Sequence, residues 1–349
     1  MKFFNIDMHA SVIMDIADIF KKLGHHVDDW SLSGHAHIMG KEKKNIVFND
    51  GSKLICAGVC TQETCDKFYD AFKEKLDKYD GFIACYPVEF AMLYEKWNKP
   101  IIIVNCIRYE HPNIKYKNIW NRLDIFLKKW NKKGLLWYVC NNKGDQWYTE
   151  YFTGIKGIHI PNLCEYTNEK YTGIKNEFII HIRSHVEQIP NNCKTLSSYT
   201  WKNLYSYKGI IHNPYHNGSM SIFEHYTANI PMFMPSKKFI KQLFYEGKTL
   251  NDLTFCKIYN MDEPDDENNP LSLKNEKILE KWINTCDFYD ENNMPYIQLF
   301  DSWEHMNKLL KTVNYKEISE NMANFNIKRR EQIFLSWSNI LNKINECNK

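Results

Sequence analysis

Residues 208–236 read KGIIHNPYHNGSMSIFEHYTANIPMFMPS, and this stretch decides the fold. It opens as an apolar strand, crosses a polar turn, enters a helix and leaves through a second apolar segment closed by Pro235. Gly218, Ser219, Met220 and Ser221 fall where the helix begins, and Glu224 lies about one turn further on. Backbone N–H groups without partners point outward at a helix N-terminus, and the helix dipole favours negative charge there. A small polar turn leading into a helix is therefore a ready anion site. A carboxylate one turn later does not serve the anion; it suits the hydroxyls of a ribose. Together the two point to a nucleotide diphosphate.

Working outward, strand and helix signals alternate twice. Residues 3–9 form a short apolar strand, and Ser11 can cap a helix that carries Val12, Ile16, Ile19, Phe20 and Leu23 on one face. Gly24 stops that helix. Residues 25–32 read as a strand, 45–49 and 54–57 as a hairpin around Asp50-Gly51, and 61–78 as an amphipathic helix. Residues 81–86 are a strand stopped by Pro87, with a helix following to Trp97. Residues 100–106 centre on IIIV, and a continuous β-branched run marks a strand covered on both faces. A helix over 113–130 and strands at 135–140 and 157–160 complete the first series.

The second series starts with the strand 178–183. It continues as strand 204–211, helix 221–229, strand 231–234, helix 237–245 and strand 254–258. A helix over 274–286, a strand at 297–300 and a helical tail from Trp303 follow. Two such series predict two Rossmann-like α/β domains, 1–172 and 173–349, facing a central cleft, with a C-terminal helical tail. Ligands bind outside the carboxyl ends of strands in such sheets, so the cleft is the expected active site. No repeat is visible in the sequence.

A chain of 349 residues suits two domains, and 44% apolar with 25% charged residues is the composition of a globular protein. Aromatic residues at 15% suit ring- or sugar-stacking clefts as well as cores. A formal charge of +3 without a long Lys/Arg block argues against a nucleic-acid partner. The 11 cysteines are odd in number and lie in apolar contexts such as those of Cys85 and Cys140, which reads as free thiols in a reducing compartment. Cys56, Cys60 and Cys65 match no zinc spacing. Asp7, Asp15 and Asp18 interrupt the N-terminus, so it is no signal peptide, and no apolar run reaches the length of a membrane span. A cytoplasmic protein is expected. There is no GxGxxG after the first strand, no GxxxxGK[ST], no HExxH and no GxSxG. Asp28-Asp29 and the acidic loop at 262–270 lack the spacing of a metal–nucleotide motif.

The order of elements, with HNPYHNGSMSIFEHYTANIPMFMPS at 212–236, resembles the GT-B glycosyltransferases, which move a sugar from a nucleotide-sugar donor. The resemblance implies an N-terminal acceptor domain and a C-terminal donor domain. It makes Gly218, Ser219 and Ser221 diphosphate contacts and Glu224 the ribose contact. Arg183, in HIRSH after the first strand of the second domain, would neutralise diphosphate charge. His185, Glu187, His212, Tyr215, His216 and Met220 complete the expected donor side. Many retaining members carry two glutamates eight positions apart; His216 stands where the first would be, so that assignment does not carry over.

Several inverting members place a histidine just after the first strand, where this chain has His9. Histidine suits a general base, and Asp7, two residues back on the same strand face, would fix its tautomer. His35 and His37 in SGHAHIMG, with Tyr86 and Arg108 at strand ends, are expected on the acceptor side, and Glu110 and His111 follow Arg108. The implied reaction passes a sugar to a glycan or small-molecule hydroxyl, with neither metal nor other cofactor. Two other readings stay open: a nucleotide-sugar epimerase on the same fold, and a related protein that holds glycan or nucleotide without turnover.

Overall fold

A computed structural model describes residues 1–54, 59–112 and 116–347. Cys56, the second arm of the expected hairpin beyond Leu54 and the expected helix start at 113 lie outside the described residues. The chain forms two compact units, one of Met1–Asn162 with Ile333–Lys349 and one of Leu163–Gln332. The two units therefore divide ahead of residue 172, and the end of the helical tail belongs with the first unit rather than the second.

The first unit holds β1 (Lys2–Asp7), α1 (Ala10–Lys22), β2 (His26–Ser31), α2 (Gln62–Leu76), β3 (Gly81–Ala84), β4 (Ile101–Asn105), α3 (Lys117–Lys132), β5 (Leu136–Cys140), α4 (Lys143–Thr153) and β6 (Ile158–His159). Its strands run parallel in the order β2-β1-β3-β4-β5-β6. Every residue of β4 is buried, as the IIIV run requires of a strand covered on both faces. α1 buries Val12, Ile13, Ile16, Ile19 and Phe20. Its N-cap is His9, not Ser11, and the His9 side chain makes no capping bond. Gly24, with φ of 79°, turns the chain back toward β2.

Among the described residues, the hairpin around Asp50 shows an antiparallel bridge between Val47 and Lys53. Main-chain bonds from the Phe48 N–H to the Ser52 carbonyl (2.8 Å) and from the Leu54 N–H to the Ile46 carbonyl (3.0 Å) join the arms, and the Asp50 carboxylate accepts from both the N–H and the hydroxyl of Ser52 within the turn. The segment Val88–Trp97 winds as a tighter 3-10 helix.

The second unit holds β7 (Phe178–Ile180), β8 (Cys193–Thr195), α5 (Trp201–Leu204), β9 (Gly209–Ile211), α6 (Met220–Thr227), β10 (Met232–Pro235), α7 (Lys237–Tyr245), α8 (Phe255–Ile258), α9 (Glu276–Asn284), β11 (Gln298–Phe300) and α10 (Trp303–Thr312). Its parallel order is β11-β10-β9-β7-β8. Phe178, Ile180, Ile211, Phe233 and Phe300 form one core with Phe239 and Leu243 of α7 and Trp303, Met306 and Leu310 of α10. The strand expected at 254–258 is the short helix α8, because a brief apolar run does not distinguish the two. A last helix, α11 (Tyr315–Cys347), supplies the tail; within the first unit its Trp337 packs edge-on against Phe20, 5.3 Å between ring centres.

Counted within each unit, the strand order of both sheets contains 2-1-3-4-5. A shared detail explains two glycines. The third strand opens with glycine (Gly81, Gly209) and the fourth follows a proline (Pro100, Pro231). The proline carbonyl accepts from the residue after the glycine, Phe82 in one unit and Ile210 in the other, at 2.9 Å in both. A Cβ on Gly81 would lie 2.9 Å from the Pro100 oxygen and 3.1 Å from the Phe3 ring; on Gly209 it would lie 3.0 Å from the Pro231 oxygen. Gly81→Ala is therefore expected to cost about 1–3 kcal/mol through overpacking. A lower urea midpoint at unchanged slope would register it, and an unchanged midpoint would show that the strands part without cost.

Candidate active site

In a 2-1-3-4-5 sheet the chain leaves the first strand in one direction and later returns on its other side. The crevice at that switch point, outside the carboxyl ends of the first and third strands, is where ligands bind. In the second unit those strands are β7 and β9; in the first they are β1 and β3.

Past β9 the chain enters the turn quoted at the outset. Asn213 fastens it to the loop after β7. Its N–H donates to the Ser184 hydroxyl at 2.9 Å, and its side-chain amide donates to the carbonyls of His185 (2.8 Å) and Lys248 (3.0 Å). The Gly218 N–H donates to His216 Nδ1 at 2.9 Å, so that nitrogen is the acceptor. His216, expected on the donor side, shapes the turn itself.

Ser219 is the N-cap of α6, yet its side chain makes no capping bond. Its hydroxyl donates to the Tyr215 hydroxyl (3.2 Å) and lies 2.9 Å from the Ser221 hydroxyl. The cap side chain thus takes none of the first-turn N–H groups, although the Ile222 N–H donates to the Ser219 carbonyl at 3.0 Å. The Arg183 guanidinium lies 4.8 Å from the centre of the Tyr215 ring and is exposed. No ion pair involves it among the described residues. Glu224, one turn into α6 and 7% exposed, accepts a hydrogen bond from the Tyr166 hydroxyl.

Arg183, Tyr215, His216, Gly218, Ser219 and Ser221 thus share one neighbourhood. His185 and Glu187 are 3.2 Å apart, and Lys248, 2.7 Å from Glu187, holds that carboxylate below its usual range. His185, Glu187 and Lys248 thus cluster together. Met220 and His212 are buried.

His212 belongs to a group that no local spacing announced. His181 follows β7, His212 follows β9 and His225 lies in α6; one nitrogen from each falls within 4.8 Å of the others. The His181 and His212 rings stack at 4.0 Å. Both ring nitrogens of His212 and of His225 are buried without a hydrogen-bond partner. Burial, aided by Arg183, brings His181 down to about 4, and burial with neighbouring histidines holds His212 and His225 well below the ordinary value. Among the described residues this is the one set arranged to hold a metal ion.

In the first unit, His9 follows β1 and Tyr86 follows β3. Their rings meet edge to face at 6.3 Å, and the Tyr86 hydroxyl lies 2.9 Å from His111 Nδ1. Burial and then Arg108 bring His111 down to about 4, so it is neutral. Asp7 is fully buried. It accepts from Asn5 (3.0 Å), the Ser31 hydroxyl (3.5 Å) and the main-chain N–H of His9. Burial, then Asp29, push its carboxyl well above the ordinary range. Asp7 thus holds the backbone that enters α1.

Arg108 is 1% exposed and lies 3.8 Å from Asp145, so its charge is directed into the unit. Glu110 beside it is pushed up to about 8 by burial and accepts from the Tyr148 hydroxyl. His35 and His37 are exposed on the turn after β2, with His37 Nδ1 2.9 Å from the Gly34 carbonyl.

No protein-family profile and no curated protein matches the chain. Solved structures do. One is the glycotransferase of kitacinnamycin, at 11% identity over 98% of each chain with a TM-score of 0.46. Another is the glycosyltransferase SnogD from Streptomyces nogalater, at 9% identity over 94% of this chain and 95% of that one, TM-score 0.44. A third is Glycyrrhiza uralensis UGT73P12 complexed with glycyrrhetinic acid 3-O-monoglucuronide, at 9% identity over 98% and 99%, TM-score 0.40.

Proposed function

We propose that the chain is a GT-B glycosyltransferase whose second unit binds a nucleotide-diphosphate sugar and whose first unit binds the hydroxyl acceptor, a glycan or small molecule. The observation that carries the reading is the α6 N-terminus: its cap side chain is turned to Tyr215 and Ser221, and an exposed arginine stands over Tyr215. A diphosphate leaves with growing negative charge. N–H groups of the first turn, the Ser219 and Ser221 hydroxyls and Arg183 meet that charge, and pre-organised donors of this kind lower the barrier most. The step then draws on no metal ion.

Glu224, held by Tyr166, takes the ribose hydroxyls, and His216 holds the turn against the phosphates. His9 removes the acceptor proton, with Tyr86 beside it, while Asp7 steadies the backbone entering α1. His35 and His37 contact acceptor from their exposed turn. The described cysteines are all free, which suits the cytoplasm, and no helix among the described residues is long and apolar enough to cross a membrane.

Thermal unfolding with UDP, GDP, dTDP or CMP, and with the matching nucleotide sugars, tests the donor assignment. One base is expected to stabilise the protein by about 2.7 kcal/mol at a hundred times its Kd. No shift with any of them removes the donor site and with it the transferase reading. A shift without transfer to any acceptor, and with donor alone giving an epimerised sugar, would favour the epimerase.

A further inference from the structure

We propose that His181, His212 and His225 form a site for one divalent d-block cation of the Zn2+ class, independent of the proposed transfer reaction. Three imidazoles arrive from three different elements, each offering a nitrogen within 4.8 Å of the others. Four of the six ring nitrogens, those of His212 and His225, are buried and make no hydrogen bond. A buried polar group without a partner is costly, so four such nitrogens gathered beside a third imidazole call for an occupant. Neutral imidazoles offer lone pairs and no negative charge. That donor set suits zinc, copper or nickel and not magnesium or calcium, which take oxygen ligands.

Three histidines leave a fourth tetrahedral position for water or another small ligand. A pocket lined by His181, Tyr199, Leu204 and His225 borders two of the rings.

The ring geometry also says what binding changes. A cation lies in the plane of each imidazole that holds it. The His181 and His212 planes are 10° from parallel at 4.0 Å, so the two do not share an ion as they stand. His225 is inclined to His212 by 56° and to His181 by 64°, an arrangement in which rings can converge. Zinc–nitrogen bonds of about 2.0–2.1 Å also require the nitrogens to draw together. His181 accepts one weak bond, from the Arg183 N–H at 3.4 Å, so turning it out of the stack sacrifices little. Occupancy would join the ends of β7 and β9 to α6.

The test is calorimetric titration of the chelator-stripped full chain with Zn2+, and with Co2+ read by its ligand-field absorption. One ion per chain is expected, with the Co2+ band intensity of a four-coordinate site. His212→Gln and His225→Gln should weaken binding by more than the ~10–100-fold that loss of an outer-shell partner costs, while His305→Ala, a surface change in the same unit, leaves it unaltered. Should the buried variants fail to fold, imidazole 15N spectra of the unaltered chain decide: one equivalent of Zn2+ should shift three histidines together. No binding, more than one ion per chain, six-coordinate Co2+, or three histidines shifting that do not include His181, His212 and His225 would each overturn the site.

Discussion

His9→Ala is expected to lower sugar transfer by about 10²–10⁴-fold, the range in which a positioned general base contributes. His9 lies where the chain leaves β1 at the switch point of the first sheet, and it occupies the N-cap of α1 without capping it. Its imidazole is thus not spent on capping the helix. Tyr86 closes one side of the ring, and Asp7 grips the adjacent backbone. The substitution should leave nucleotide-induced thermal stabilisation unchanged, because the donor groups all lie in the second unit. It should also remove the acid limb of the rate–pH profile, which a protonating base produces and a positioning residue does not. Transfer within a few-fold of the unaltered chain would take His9 out of the chemistry. A fall in rate with the acid limb intact would make it a positioning residue.

What could be read from the sequence was what is written locally. The buried run of β4, the stripe of α1 and the strand–turn–helix from β9 into α6 each declare themselves within a dozen residues, by period or by turn chemistry. Two α/β units follow from such elements in alternation. β8 did not declare itself, because CKT offers a single apolar residue and lies at the sheet edge, where only one neighbouring strand holds it.

The pairing of Tyr166 with Glu224, and the meeting of His181, His212 and His225, join residues far apart in the chain, so no spacing could show them. Strand ends held a partial signal: His181 and His212 each directly follow a strand, the place where α/β proteins gather ligands. The likeness between the units was hidden for another reason. It rests on one glycine and one proline per unit at the same topological place, which alignment of residues does not detect and the path of the backbone does.

Arg183→Ala is expected to reduce transfer by about 10²–10³-fold, as removal of one pre-organised donor does when charge develops on the leaving group. The fold should not notice. Arg183 is exposed, and its guanidinium rests over the face of Tyr215, a contact worth about 0.5–1 kcal/mol at an exposed site. The kinetic signature is specific. A group that meets charge present fully only in the departing diphosphate lowers kcat with little change in KM for the donor sugar, and weakens the product nucleotide more than the substrate. Arg183→Lys separates charge from shape: the ammonium keeps the charge and loses the planar fork, so activity between that of the alanine variant and the unaltered chain is expected. If KM alone rises with kcat unchanged, Arg183 holds donor sugar and transition state equally and the leaving-group role fails. If neither changes, the anion site at α6 works without it, and the N–H groups of the first turn with the two serine hydroxyls carry the charge alone.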